Sequence, residues 1–115
     1  MQRDLVEQRE WFTETEYRQG LALEVGSKGV RVNAVSPGPV STALWLGDHG
    51  VAATVAQAKG GDPEAVQKAQ ASQSATGRFT DPGEVADLVV LLASDRAGNV
   101  TGSDFLIDGG LVKTL

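Results

Sequence analysis

The feature that most constrains this chain is the run VRVNAVSPGPVST at residues 30–42. A short apolar strand runs straight into a Pro-Gly-Pro loop and ends on two hydroxyl residues, Ser41 and Thr42. A helix-like stretch, LALEVGSKG, stands just before it at 21–29. Helix, strand and loop in this order are how an α/β protein places a ligand loop at the carboxyl end of a parallel strand. Val30, Val32 and Ala34 alternate with Arg31, Asn33 and Val35, so the strand is expected over 30–35. Pro37 and Pro39 are expected to forbid its continuation as a central strand.

The other elements follow from local signals. Residues 1–20 are polar and mixed in charge with scattered apolar positions, which suits a helix continuing to Val25 and stopping at Gly26 or Gly29. Residues 43–74 are rich in Ala, Gln and Gly and are expected to hold two helices, 48–58 and 63–74. The second has a clear start, with Asp62 as N-cap and Pro63 in the first turn. Gly60-Gly61 reads as a hinge, and neither helix has a strong apolar stripe, so 43–74 is read as a mobile flap. Asp81-Pro82-Gly83-Glu84 carries the pattern of a capping box with proline at the first helical position. Val85, Leu88, Val89, Leu91 and Leu92 then give an apolar face to a helix ending near Asp95. A second short strand is expected at 104–107, closed by Asp108-Gly109-Gly110.

Composition removes several function classes. The formal net charge is -5, and Lys and Arg form no cluster, which argues against nucleic-acid binding. Without cysteine there is no disulfide, thiol catalysis or Cys-ligated zinc. His49 is the one histidine, and one His with scattered carboxylates makes no metal site; it reads as a solvated loop residue. No apolar run reaches a membrane span, and MQRDLVEQRE is charged from its third residue, unlike a secretory signal. A soluble, cytoplasmic protein without membrane or nucleic-acid partners is the expectation.

The motifs form an ordered set: LALE, then GVRVNAVSPGPVST, then GRFTDPGEVADLVVLLASDRAGNVTG, then IDGG. In this order and spacing the chain, from Leu21 on, resembles the C-terminal part of the classical short-chain dehydrogenase/reductases. The resemblance implies a partial Rossmann-like α/β fold from a doubly wound parallel sheet: the last two strands, lid helices over 43–75 and a long amphipathic helix. It implies NAD or NADP as cofactor and a small-molecule alcohol or carbonyl substrate. It assigns Pro37 and Gly38 to the turn beneath the nicotinamide, with Gly38 leaving room for the ring. The Val40 backbone then meets the carboxamide, and the Thr42 hydroxyl the carboxamide or the pyrophosphate. Leu44, Trp45 and Leu46 follow as an apolar patch, for which substrate contact and simple packing both account. Asn33 and Ser36 are read as structural hydrogen-bonding residues ahead of indirect cofactor contacts. Glu24 and Arg31 form a candidate ion pair without chemistry. Asp108-Gly109-Gly110 reads as a tight turn at a subunit contact.

The family's chemistry rests on a Tyr-x-x-x-Lys pair, whose Lys and cofactor ribose lower the tyrosine pKa. Aligned back from LALE, those positions fall on Glu7 and Trp11, and Tyr17 has Leu21 four residues on, so no catalytic residue is assigned. No Gly-rich dinucleotide fingerprint occurs in the sequence either. The chain is therefore expected to be the nicotinamide-loop and lid part of an oxidoreductase, inactive alone. The alternative is a non-catalytic remnant that associates with itself or with a family member. In either case the strand at 30–35 would expose an unpaired edge.

Overall fold

The computed structural model describes residues 14–112. Most of the helix expected over 1–20 falls on residues outside that range. The described part is a helix α1 (Glu14–Gly26) that ends where the glycines put it. Lys28 N–H donates to the Val25 carbonyl at 3.0 Å, and Gly29 takes the left-handed φ of 77°. Arg18 and Ala22, one turn apart, are both buried, while Leu23 is exposed.

Two units are distinguished, 14–35 with 89–105 and 36–88 with 106–112, and each is described by itself. In the first, extended chain at 30–33 is pinned to the turn 94–103 by long-range contacts. The Arg31 guanidinium donates to the Val100 and Ser94 carbonyls, both at 3.1 Å. Asn33 donates to the Val100 carbonyl at 2.9 Å and accepts from Ser103 N–H at 3.2 Å, so its role is structural. The Arg31 guanidinium is thereby committed to carbonyls, and the ion pair expected with Glu24 is absent among the described residues.

Strand β1 (Ala34–Pro37) pairs with β2 (Asp104–Ile107) in a two-stranded sheet. Ala34 N–H bonds the Ser103 carbonyl and Gly38 N–H the Ile107 carbonyl, both at 2.9 Å; this constant offset makes the pair parallel. The strand expected at 30–35 is thus shifted toward Pro37. Two causes are visible. Val32 gives its N–H to the Thr101 hydroxyl and its carbonyl to Gly102 N–H, so residues 30–33 follow a turn, not a ladder. Even-numbered residues face β2, so the N–H that Pro37 lacks would have pointed to the open edge, and no ladder bond is lost. The backbone groups of Arg31, Asn33 and Val35 lie along that edge. Beside it runs an open groove of about 440 Å³ lined by Val30, Val35, Val89 and Leu92 among others.

Residues 43–74 hold three helices where two were expected: α2 (Ala43–Leu46), α3 (Val51–Lys59) and α4 (Pro63–Ser72). The single turn α2 is closed by Gly47 N–H on the Ala43 carbonyl at 2.9 Å. Helix α3 buries Ala52 and Ala56 on one face and ends at Gly60 in the left-handed conformation. Helix α4 starts as read: Asp62 accepts from Glu64 N–H at 3.2 Å, ahead of Pro63.

Helix α5 (Pro82–Ala93) is followed by a 3-10 turn, Asp95–Ala97. The Ser94 hydroxyl accepts from Arg96 N–H and opens that turn, which is why the helix stops before Asp95. At the other end Glu84 reaches back to Asp81 N–H at 3.0 Å, one arm of the capping box. Glu84 also meets Arg78 in a bidentate pair at 2.6 and 3.1 Å. Those donors, Arg78 first, hold the Glu84 carboxyl at about 2, below its ordinary 4.5. A depressed carboxyl stabilises the fold above its unfolded pKa and loses that contribution as pH falls through the folded value. Melting curves of the wild type and Glu84→Gln are therefore expected to differ slightly at pH 7 and to converge between about pH 4.5 and 2. The difference is small because both side chains are exposed. A gap that persists at pH 2 would assign the effect to something other than ionisation.

The core is thin. Its buried apolar side chains are Ala22, Leu92 and Ala97 in the first unit and Ala52 and Ala56 in the second, and no large side chain is fully buried among the described residues.

Candidate functional site

The loop after β1 is shaped by two backbone contacts. Gly38 N–H closes the ladder on Ile107. A Cβ on Gly38 would lie 2.7 Å from Asp108 Cβ and 3.1 Å from its Cα. The requirement for glycine seen here is therefore set by Asp108, a contact within the chain.

Beyond Pro39 the chain makes an isolated parallel bridge between Val40 and Thr80. Thr80 N–H donates to the Pro39 carbonyl at 3.1 Å, and Ser41 N–H donates to the Thr80 carbonyl at 2.9 Å. In a parallel bridge the residues on either side of the bridging residue make the bonds. Val40's own N–H and C=O are thus turned away from Thr80. The carbonyl accepts from Thr42 N–H at 2.7 Å and, at a longer 3.5 Å, from the Thr42 hydroxyl, and the N–H has no acceptor among the described residues. The Thr42 hydroxyl sits 3.5 Å from the Val40 carbonyl, so it shares one small polar patch with it. The bridge is reinforced by the Ser41 hydroxyl, which donates to the Asp81 carboxylate at 3.1 Å.

Downstream, Leu44 is 71% exposed, while Trp45 is half-buried with its ring centroid 5.6 Å from that of Phe79 at an interplanar angle of 56°. Packing thus accounts for Trp45, and Leu44 is left facing outward. His49 is exposed. No group of three metal-ligating side chains occurs among the described residues. No described helix is long and apolar enough to cross a membrane. The family's catalytic positions, Glu7 and Trp11 by alignment, lie outside the described residues.

Asp108 is the residue that sequence reasoning undervalued. It is buried; one oxygen accepts from Gly110 N–H at 2.9 Å and the other from Val112 N–H at 2.8 Å. These donors, Val112 first, hold its carboxyl below the usual carboxylate range. The turn it organises packs on the chain's own residues. Thr76 N–H donates to the Gly109 carbonyl at 3.0 Å, and a Cβ on Gly109 or Gly110 would strike Thr76 or Ala75. Packing within the chain thus explains the two glycines. The signal was present as an Asp followed by two glycines at a strand end, a turn in which the carboxylate bonds backbone N–H groups ahead of it.

Residues 16–112, nearly the whole described range, match the family model described as enoyl-(acyl carrier protein) reductase. The chain belongs to the short-chain dehydrogenase/reductase family. It is 41% identical over 92 residues to 2-keto-3-deoxy-L-fuconate dehydrogenase of Xanthomonas campestris pv. campestris, covering 80% of this chain and 28% of that protein. It is 38% identical over 96 residues to 3-alpha-(or 20-beta)-hydroxysteroid dehydrogenase of Mycobacterium bovis, covering 82% and 29%. Among solved structures, a short-chain dehydrogenase family protein of Francisella tularensis superposes with a TM-score of 0.77 at 32% identity over 84% of this chain and 39% of that one. L-sorbose reductase of Gluconobacter frateurii, complexed with NADPH and L-sorbose, gives 0.76 at 32% identity over 88% and 38%. The chain thus carries a partial Rossmann-like fold of this family and spans less than a third of the length of these curated relatives.

Proposed function

We propose that this chain supplies the nicotinamide end of an NAD(P)-dependent oxidoreductase that moves a hydride between the cofactor and an alcohol or carbonyl. The observation that carries the reading is the backbone at Val40. A carboxamide needs one donor and one acceptor side by side, and the Val40 N–H and its carbonyl, whose second lone pair holds only the long 3.5 Å bond from the Thr42 hydroxyl, offer that pair. The Thr42 hydroxyl adds a third polar atom next to them. Pro37, Gly38 and Pro39 turn the chain so that this patch lies past the end of β1. Residues 43–75 act as the substrate lid, with Leu44 and Trp45 at its base; Leu44 meets substrate and Trp45 holds the turn against Phe79. When bound, the cofactor would accept a hydride from an alcohol or give one to a carbonyl. The residues present fit its carboxamide end, and no Gly-rich phosphate cradle occurs in these 115 residues. Hydride transfer therefore belongs to a complete cytoplasmic enzyme of the relatives' length.

The test is a nitrogen-proton correlation spectrum of the chain titrated with NADPH. The amides of Val40, Ser41 and Thr42 are expected to shift together. Saturation is not expected below about 1 mM, since two or three hydrogen bonds at one end of the ligand yield no more than about 4 kcal/mol. Unmoved Val40–Thr42 amides at 10-fold higher concentration would reject the assignment. Saturation at micromolar NADPH would show instead that the 115 residues hold a far more complete site.

A second reading, a non-catalytic chain that binds copies of itself or a family member, is favoured by the exposed run Val89, Val90 and Leu91 on α5.

A further inference from the structure

We propose that Asp108 is a positioning residue that ties the loop after β1 to the segment 74–76 that follows helix α4, so that both are held by one turn. The inference rests on the reading of 37–42 as the cofactor loop and 43–75 as the lid.

An aspartate that merely begins a turn stays in water, because burying a carboxylate is costly unless its oxygens are satisfied. Asp108 is 7% exposed, and each of its oxygens takes a backbone N–H from the residues that follow. Leu111 N–H adds a contact to the Asp108 carbonyl at 3.3 Å. Residues 108–112 are thereby closed on themselves around one carboxylate, with Gly109 and Gly110 both at positive φ.

This closed turn has two contacts. On one side is the loop: Gly38 N–H bonds the residue before Asp108, and Gly38 has no room for a Cβ because of the Asp108 Cα and Cβ. On the other side are the last lid residue, Ala75, and Thr76 just past it. Thr76 N–H bonds the Gly109 carbonyl, and a Cβ on Gly110 would come within 2.8 Å of Ala75. Pro39, Ser74 and Asp108 also line one small, partly open recess of about 10 Å³, room for a single water. Loop, lid end and turn therefore meet at Asp108. With both oxygens committed, the carboxylate acts on ligands only through the segments it holds.

The test is amide hydrogen exchange of the 115-residue chain and of Asp108→Asn, without nucleotide, followed by the NADPH titration. In the variant, protection is expected to fall about tenfold or more at Gly110 and Val112, and also at Gly38 and Thr76. The amide of Ala56, inside α3, keeps its protection. The NADPH-induced shift at Val40 is expected to shrink at least threefold. Loss confined to Gly110 and Val112, or an unchanged NADPH response, would overturn the proposal. If Asp108→Asn does not fold, Gly110→Ala carries the test. It presses on Ala75 with the carboxylate intact, and exposure of Thr76 with Gly38 still protected would show that the two sides are independent. A wild-type chain that gives no NADPH shift would remove the cofactor reading and leave the exchange result to stand or fall alone.

Discussion

Gly38→Ala is expected to destabilise the chain by about 1–3 kcal/mol, the range for an added methyl in a filled space. The sign is informative. At a site whose backbone suits alanine, Gly→Ala usually stabilises by about 0.4–1 kcal/mol, because the unfolded chain loses freedom. Gly38 does not have a positive φ, so that gain is available in principle. It is outweighed because the new Cβ would sit 2.7 Å from the Asp108 Cβ, an atom one bond from the backbone. Asp108 has little freedom to retreat, since its carboxylate is fixed by Gly110 and Val112. Gly83→Ala is the control: it lies in the first turn of α5 with no atom within 4 Å of the new Cβ, and is expected to be neutral or stabilising. Urea midpoints of the two variants against the wild type decide the matter. A stabilised Gly38→Ala would mean that the loop moves freely off Asp108, and the proposed tie between loop and lid would fail with it.

The same residue shows how much was legible beforehand. The need for a glycine at 38 was readable from Pro37-Gly38-Pro39, and its cause was not, because Asp108 is distant in sequence. Helices α4 and α5 were readable because their starts are encoded within four residues, by Asp62-Pro63 and by Asp81 to Glu84. Strand β2 was placed at its observed bounds, since DFLI is a short apolar run closed by glycines. Strand β1 was displaced because its first residues are captured by Ser94, Val100 and Thr101, contacts of long sequence separation that periodicity does not register. Helix α2 escaped because a single turn between Thr42 and Gly47 has no period to detect. At the site, motif order identified the loop, but the direction of Val40's backbone groups follows from the bridge to Thr80, which no local pattern encodes.

The 115-residue chain is expected to associate in solution, with a mass above that of a single copy at 100 μM. Its first unit leaves two surfaces uncovered. On α5, Val89, Val90 and Leu91 are 47%, 68% and 47% exposed at successive positions. Along β1 and the extended chain before it, the backbone groups of Arg31, Asn33 and Val35 line an edge that no other strand covers among the described residues, beside the open groove, the template on which another strand pairs. Finishing the burial of such half-exposed side chains yields about 1 kcal/mol each, so a two-fold contact through α5 alone yields about 6 kcal/mol. Association costs at least about 4 kcal/mol, so that face by itself leaves at most about 2 kcal/mol, a Kd of tens of millimolar, and association at 100 μM needs the second surface as well. Strand pairing along β1 adds backbone hydrogen bonds and covers the groove. Two substitutions separate the surfaces. Val90→Asp places a charge on the helix face, and Val35→Lys places one in the groove beside the edge. Sedimentation of each variant assigns the association to the surface whose charge returns the chain to a monomer. A wild-type chain that stays monomeric at that concentration would remove strand pairing along β1, and with it the predicted association.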